Sequence, residues 1–152
     1  MTLLRTSPAS NPIREIRRQV NLRGYTGTSM DWNRVSPVFP VADVAAAIEW
    51  YRRILGFEPQ LVNPPGDAVP VYAVLHRGAV SAHLLRLDEA PYGLRAPVQA
   101  QFWITSDLNE LFLHVESHGA RVLQRPGDRP WGHRDFMIAD PDGNVVWVTR
   151  PI

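Results

Sequence analysis

The sequence predicts an α+β fold made of two β-α-β-β-β modules in tandem. Three observations carry this. A strand followed by a capped helix occurs twice, with the capping aspartates Asp43 and Asp107 about 64 residues apart. Three strand candidates follow each helix. Between the last two stands Asp140-Pro141-Asp142-Gly143-Asn144, a turn in which Pro141 presets φ and Gly143 or Asn144 tolerates φ > 0.

The first module opens with Val38-Phe39-Pro40-Val41 as a strand. Asp43 then caps a helix whose apolar stripe is Val44, Ala47, Ile48, Tyr51, Ile54 and Leu55, and Gly56 ends it. Strands are expected over 58–62, 69–75 and 79–87, with turns at 63–67 and 76–78. In the second module Phe102-Trp103-Ile104 is the strand. Asp107 caps a helix with the stripe Leu108, Leu111, Phe112 and Val115, Glu110 stands at capping-box spacing, and Gly119 ends it. Strands follow over 121–124, 134–139 and 145–149.

Module one therefore spans 35–87, a Pro- and Gly-rich linker 88–97, and module two 98–152, together one domain over 31–152. A module of roughly 55 residues buries too little surface to stand alone, so the modules must pair within a chain or between chains. Residues 1–30 read as an extension. Asn11 caps a short helix there, with Pro12 at its first position, Ile13, Ile16 and Val20 on one face, and Gly24 past its end. A flexible extension is the plainer reading; a targeting or dimer-embracing arm is the alternative.

Composition removes whole classes of chemistry. The chain has no cysteine, so thiol catalysis, disulfides and thiolate metal sites are excluded. All sixteen basic residues are arginine, which removes Schiff-base and lysine-base mechanisms. Within residues 1–29, five arginines against Glu15 leave +4; of the total +1, the remainder therefore carries −3. That mildly acidic body has no basic stripe for nucleic acid. No apolar run approaches the ~18 residues of a membrane span, and no signal peptide is recognisable, so a cytoplasmic protein is expected.

The ordered motifs resemble a known superfamily. They are Val41-Ala42-Asp43, then Glu49-Trp50-Tyr51-Arg52-Arg53-Ile54-Leu55-Gly56-Phe57, Asp107-Leu108-Asn109-Glu110-Leu111, Arg129-Pro130-Trp131-Gly132 and Asp140-Pro141-Asp142-Gly143-Asn144. In this order and spacing they are similar to the vicinal oxygen chelate superfamily of glyoxalases, bleomycin-resistance proteins and dioxygenases. The last two motifs most resemble the bleomycin-resistance branch. The resemblance implies curled mixed sheets with a substrate cup, and a homodimer, with modules exchanged between chains as one arrangement.

Metal-dependent members of that superfamily place a His, Gln or Glu ligand on the first and the fourth strand of each module. Carried over, those positions fall at Ser36 or Pro37, near His83, at Ala100 or Gln101, and at Trp147. An indole N–H only donates and cannot ligate a metal. His83 and Gln101 without a carboxylate make a poor site for a hard dication. The expectation is no metal and no other cofactor.

What remains is a cup lined by aromatic and hydrogen-bonding side chains. Trp147 alternates with Val146 and Val148, which suit the helix side, so Trp147 is left for the cup. By the same alternation Gln101 and Trp103 face the cup, opposite to Phe102 and Ile104. Trp131 and His133 stand at the rim of the last hairpin, and His83 is the polar candidate of module one. With the strand aromatics Phe39 and Tyr72, these residues form the expected ligand-binding set. Asp140 and Asp142 read as turn formers, His114 and His118 as helix-surface residues, and His76 as a turn residue. The resemblance and the lost metal carboxylate together imply a small-molecule-binding protein of the bleomycin-resistance type, hence antibiotic resistance. Its ligand would be partly aromatic, and the acidic body would suit a cation. A metal-dependent or metal-free lyase, isomerase or dioxygenase is the alternative, the metal-free form using His83.

Overall fold

The computed structural model describes residues 34–90 and 97–152. The expected helix over 12–23 and the middle of the 88–97 linker lie outside the described residues. Module one runs β1 (Val38–Val41), α1 (Val44–Leu55), β2 (Glu58–Asn63), β3 (Tyr72–Arg77) and β4 (Val80–Arg86). Module two runs β5 (Gln99–Trp103), α2 (Leu108–Ser117), β6 (Arg121–Arg129), β7 (His133–Ala139) and β8 (Val145–Pro151). The α+β reading with two β-α-β-β-β modules is therefore the observed fold. Each module forms its own four-stranded sheet, in the orders β1-β4-β3-β2 and β5-β8-β7-β6. In both, the first and last strands pair in parallel and the other neighbours are antiparallel.

Both helices begin where the sequence places their caps. The Asp43 carboxylate accepts from the Ala46 amide at 3.0 Å, and Asp107 accepts from Asn109 and Glu110 at 2.8 and 3.1 Å. Gly56 closes α1 at φ 66°, a left-handed conformation that side chains resist. The stripe Val44, Ala47, Ile48, Tyr51, Ile54 and Leu55 is buried, and Trp50 joins it. In α2, Leu108, Phe112 and Val115 are buried; His118 is the closing residue and Gly119 follows at φ 79°.

Several strand boundaries differ from expectation; β5, expected over 102–104, spans Gln99–Trp103, and β8 runs on to Pro151. β3 begins at Tyr72, beyond Pro70, and continues through His76 to Arg77, so His76 is a strand residue. β4 stops at Arg86 because Leu87–Glu89 turn into a short 3-10 helix. β6 runs on to Arg129 despite Pro126, which is tolerated because β6 is an edge strand with register shifts between Val122 and Gln124 and between Gln124 and Gly127.

The helix-facing residues of both sheets merge into one core. Phe39 of β1 stacks on Tyr51 of α1 at 5.6 Å and meets Phe102 of β5 at 6.4 Å, while Phe57 packs edge-on against Phe102 at 5.8 Å. The Asp140–Asn144 turn fastens the modules further. Asp140 accepts at Oδ1 from the Asp142 and Asn144 amides and at Oδ2 from the Tyr51 hydroxyl and Asn144 Nδ2. Burial, and next the Asp140 charge, push the Tyr51 phenol well above its ordinary pKa of 10.0.

The unfolded Tyr51 ionises near pH 10 while the folded one holds its proton. Its contribution to stability is therefore complete below about pH 10 and is lost as pH rises further. Tyr51→Phe should cost about 1–2 kcal/mol at pH 7, since Asp140 keeps its other donors. Urea titrations from pH 7 to 11 should show wild type losing its advantage over Tyr51→Phe only at the alkaline end.

Candidate functional site

Side chains on the face of each sheet away from its helix are fixed by strand parity. In sheet two, Phe102, Phe136, Ile138, Val146 and Val148 face the helix side and are buried there. The alternate residues form rows across the far face. One row is Trp103, Thr149 and Asp135; the next is Gln101, Trp147, Met137 and Gln124. His133 stands beyond the first row, and its ring meets Trp103 edge-on with centroids 4.5 Å apart. Gln101 Nε2 donates to Thr149 Oγ1 at 2.8 Å, which fixes the amide beside Trp147.

The far face thus holds Gln101, Trp103 and Trp147 together, as the alternation in the sequence implies, and His133, expected at the rim, joins them as the first residue of β7. Trp131 lies next to them in the chain, in the turn between β6 and β7, 60% exposed. Gly132, at φ 82°, makes that turn possible and returns its amide to the Arg129 carbonyl at 3.0 Å. Because β6 reaches Arg129, this connection is a tight turn rather than a loop from Pro126.

On sheet one the far-face rows are Val38, His83, Val74 and then Pro40, Leu85, Tyr72. The Tyr72 hydroxyl lies 2.5 Å from His83 Nδ1, so these two candidates act as one unit. Ser36 Oγ is hydrogen-bonded to Ser81 Oγ at 2.5 Å. Phe39 is elsewhere. It is fully buried on the helix side, where it lines no binding face, because parity in β1 turns Phe39 and Val41 toward α1.

The sequence reading missed Asp135. It is 0% exposed, in the middle of the far face of β7. Its Oδ1 accepts from Arg129 Nε at 2.7 Å and from Gln124 Nε2 at 2.9 Å. The signal was present: a carboxylate alternating with Phe136 and Ile138 on a strand faces away from the helix. A cavity of about 310 Å³ lies on the helix side among Leu55, Phe57, Phe102 and Leu111, and Trp103 reaches its lining. It and the convergent polar groups do not coincide. The far face is the better candidate, since recognition needs placed donors and acceptors as well as apolar surface.

A family model for the Glyoxalase/Bleomycin resistance protein/Dioxygenase superfamily matches residues 33–148. The chain belongs to this superfamily. Its fold is similar to TioX from Micromonospora sp. ML1, at 26% identity and TM-score 0.70, over 80% of this chain and 100% of that one. It is similar to a lactoylglutathione lyase from Agrobacterium tumefaciens, at 20% identity and TM-score 0.66, over 80% and 95% of the two chains. A superfamily member from Sphaerobacter thermophilus matches at 21% identity and TM-score 0.67, over 80% and 98%. No curated protein matches the sequence.

Metal-dependent members of the superfamily would need ligands on β1, β4, β5 and β8, and these residues do not fit. His83 shares its row with Val38, and Gln101 shares its row with Trp147, whose indole cannot ligate. Gln101 is committed to Thr149 and Ser36 to Ser81. Among the described residues no three His, Asp or Glu side chains are grouped to hold an ion.

Proposed function

We propose that this superfamily member is a small-molecule-binding protein of the bleomycin-resistance type, which sequesters a partly aromatic ligand without a metal. The observation that carries the reading is the far face of sheet two. There Trp103, His133 and Trp147 offer flat surface beside the oriented amide of Gln101. Trp103 is 48% exposed, unusual for an indole that serves only packing. Sequestration of a toxic aromatic compound in the cytoplasm would confer resistance on the host.

The protein acts as a homodimer. Each sheet carries its own helix on one face, and the other presents partly exposed apolar residues such as Val38 and Trp103. Light scattering should give twice the chain mass of 17.2 kDa.

Binding is tested by thermal shift and tryptophan fluorescence with bleomycin and a panel of flat aromatic compounds. At least one should raise the melting temperature and quench emission. Trp103→Ala should weaken that binding about three- to tenfold, the range for one lost aromatic contact, with little change in the melting temperature of the free protein. A panel with no stabilising compound would sink the reading. So would a stoichiometric transition metal that survives dialysis and is lost in Gln101→Ala.

A further inference from the structure

Two polar atoms on the far face of sheet two are buried without a hydrogen-bond partner: Asp135 Oδ2 and Trp147 Nε1. One is an acceptor and the other a donor. Their residues are neighbours in the sheet. Trp147 faces Met137 across the β7–β8 ladder and Asp135 faces Thr149, so the two are diagonal partners on one sheet face. Such diagonal partners on adjacent strands lie roughly 7–8 Å apart, a span that one small group set between their side chains can bridge.

Buried polar atoms are almost always satisfied, so an unpaired donor and an unpaired acceptor on neighbouring residues of one sheet face point to a group that serves both. Two neighbouring acceptors are already engaged. Asp135 Oδ1 serves Arg129 and Gln124, and Thr149 Oγ1 accepts from Gln101. The Arg129–Asp135 ion pair matters for the ligand's charge. A carboxylate already balanced by a guanidinium does not require a cation, so the group that completes it is a neutral N–H or O–H. This departs from the cationic ligand that the acidic body alone suggests. The orphaned indole N–H asks for a carbonyl-type acceptor next to that donor. Both stand beside the Trp103–His133 pair, which supplies the flat wall.

We infer that Asp135 Oδ2 and Trp147 Nε1 form a hydrogen-bonding subsite for the amide or lactam edge of a neutral, flat aromatic ligand. The ligand N–H donates to Asp135 and its carbonyl accepts from Trp147. The inference rests on the ligand-binding reading above and adds the chemical class of the ligand.

Titration calorimetry with three probes tests it: 2-naphthamide, N,N-dimethyl-2-naphthamide and naphthalene. The primary amide should bind wild type at least tenfold more tightly than the dimethyl amide, which has lost the donor. Trp147→Phe keeps a flat ring but removes the N–H, and should weaken 2-naphthamide about tenfold while leaving naphthalene within about twofold. Asp135→Asn should abolish the preference for the primary amide; if that variant fails to fold, Trp147→Phe alone decides. Equal binding of all three probes to wild type would overturn the subsite, as when a water or a partner subunit fills it, and leave aromatic binding standing. Failure of every probe to bind would overturn both readings.

Discussion

Phe39→Ala should destabilise the domain by about 3–5 kcal/mol, the range for deleting a fully buried phenylalanine ring. The ring is 0% exposed and occupies the junction of the two modules, stacked on Tyr51 and tilted against Phe102. Phe102 in turn packs on Phe57, so the aromatic chain continues from one module to the other. Neither side can close the resulting void without moving its own sheet relative to its helix, so relaxation is small and the cavity cost is large. Phe39→Leu keeps most of the volume and should cost about 1–1.5 kcal/mol. Urea unfolding provides the measurement. Trp103→Ala is the control, a half-exposed position at which stability should change by no more than about 0.5 kcal/mol. A Phe39→Ala protein with a wild-type midpoint and impaired ligand binding would reverse the assignment of this residue to the core.

The difference between these two aromatics shows what the sequence could and could not say. Trp147 and Trp103 were legible because each alternates with residues that plainly belong under a helix, and a strand turns alternate side chains to opposite faces. Phe39 was not, because β1 is four residues long and three of them are buried, so no polar alternation marks its faces. The helix caps were legible because capping is local: Asp43 and Asp107 act within three residues of themselves. Asp135 was hidden by its surroundings, since His133-Arg134-Asp135 looks like a charged surface run. Its partners Arg129 and Gln124 reach it across an edge strand whose register shifts the sequence does not display. The turn at Asp140–Asn144 was legible as a turn, but its bond to Pro40, 104 residues away, was not.

That bond makes Asn144 the second position of large effect. Asn144 is 0% exposed. Its Nδ2 donates to the Pro40 carbonyl at 2.9 Å and to Asp140 Oδ2 at 2.8 Å, and its Oδ1 accepts from the Val98 amide at 2.9 Å. Asn144→Ala leaves these groups in a dry site without that partner, at an expected cost of about 3–5 kcal/mol. Asn144→Asp keeps an acceptor for Val98 but loses both donors and sets a second carboxylate against Asp140. It should be at least as damaging at neutral pH, and partly rescued in acid as one carboxylate takes up a proton. The alternative, that the segment matters only as a turn, predicts a different order. Gly143 holds φ at 86°, and a Cβ there would meet only Pro97 Cγ, at an ordinary 3.6 Å. Gly143→Ala therefore suffers backbone strain alone, about 1–2 kcal/mol. Asp142 accepts from the Ala42 amide at 3.0 Å in an exposed position, so Asp142→Ala should cost less than about 1 kcal/mol. Asn144→Ala below Gly143→Ala, and both below Asp142→Ala, is the stability order of a latch between modules. Amide exchange at Val98 should accelerate selectively in Asn144→Ala, because that N–H loses its acceptor. If Gly143→Ala proved the least stable of the three, the segment would be a turn whose contacts to the first module contribute little.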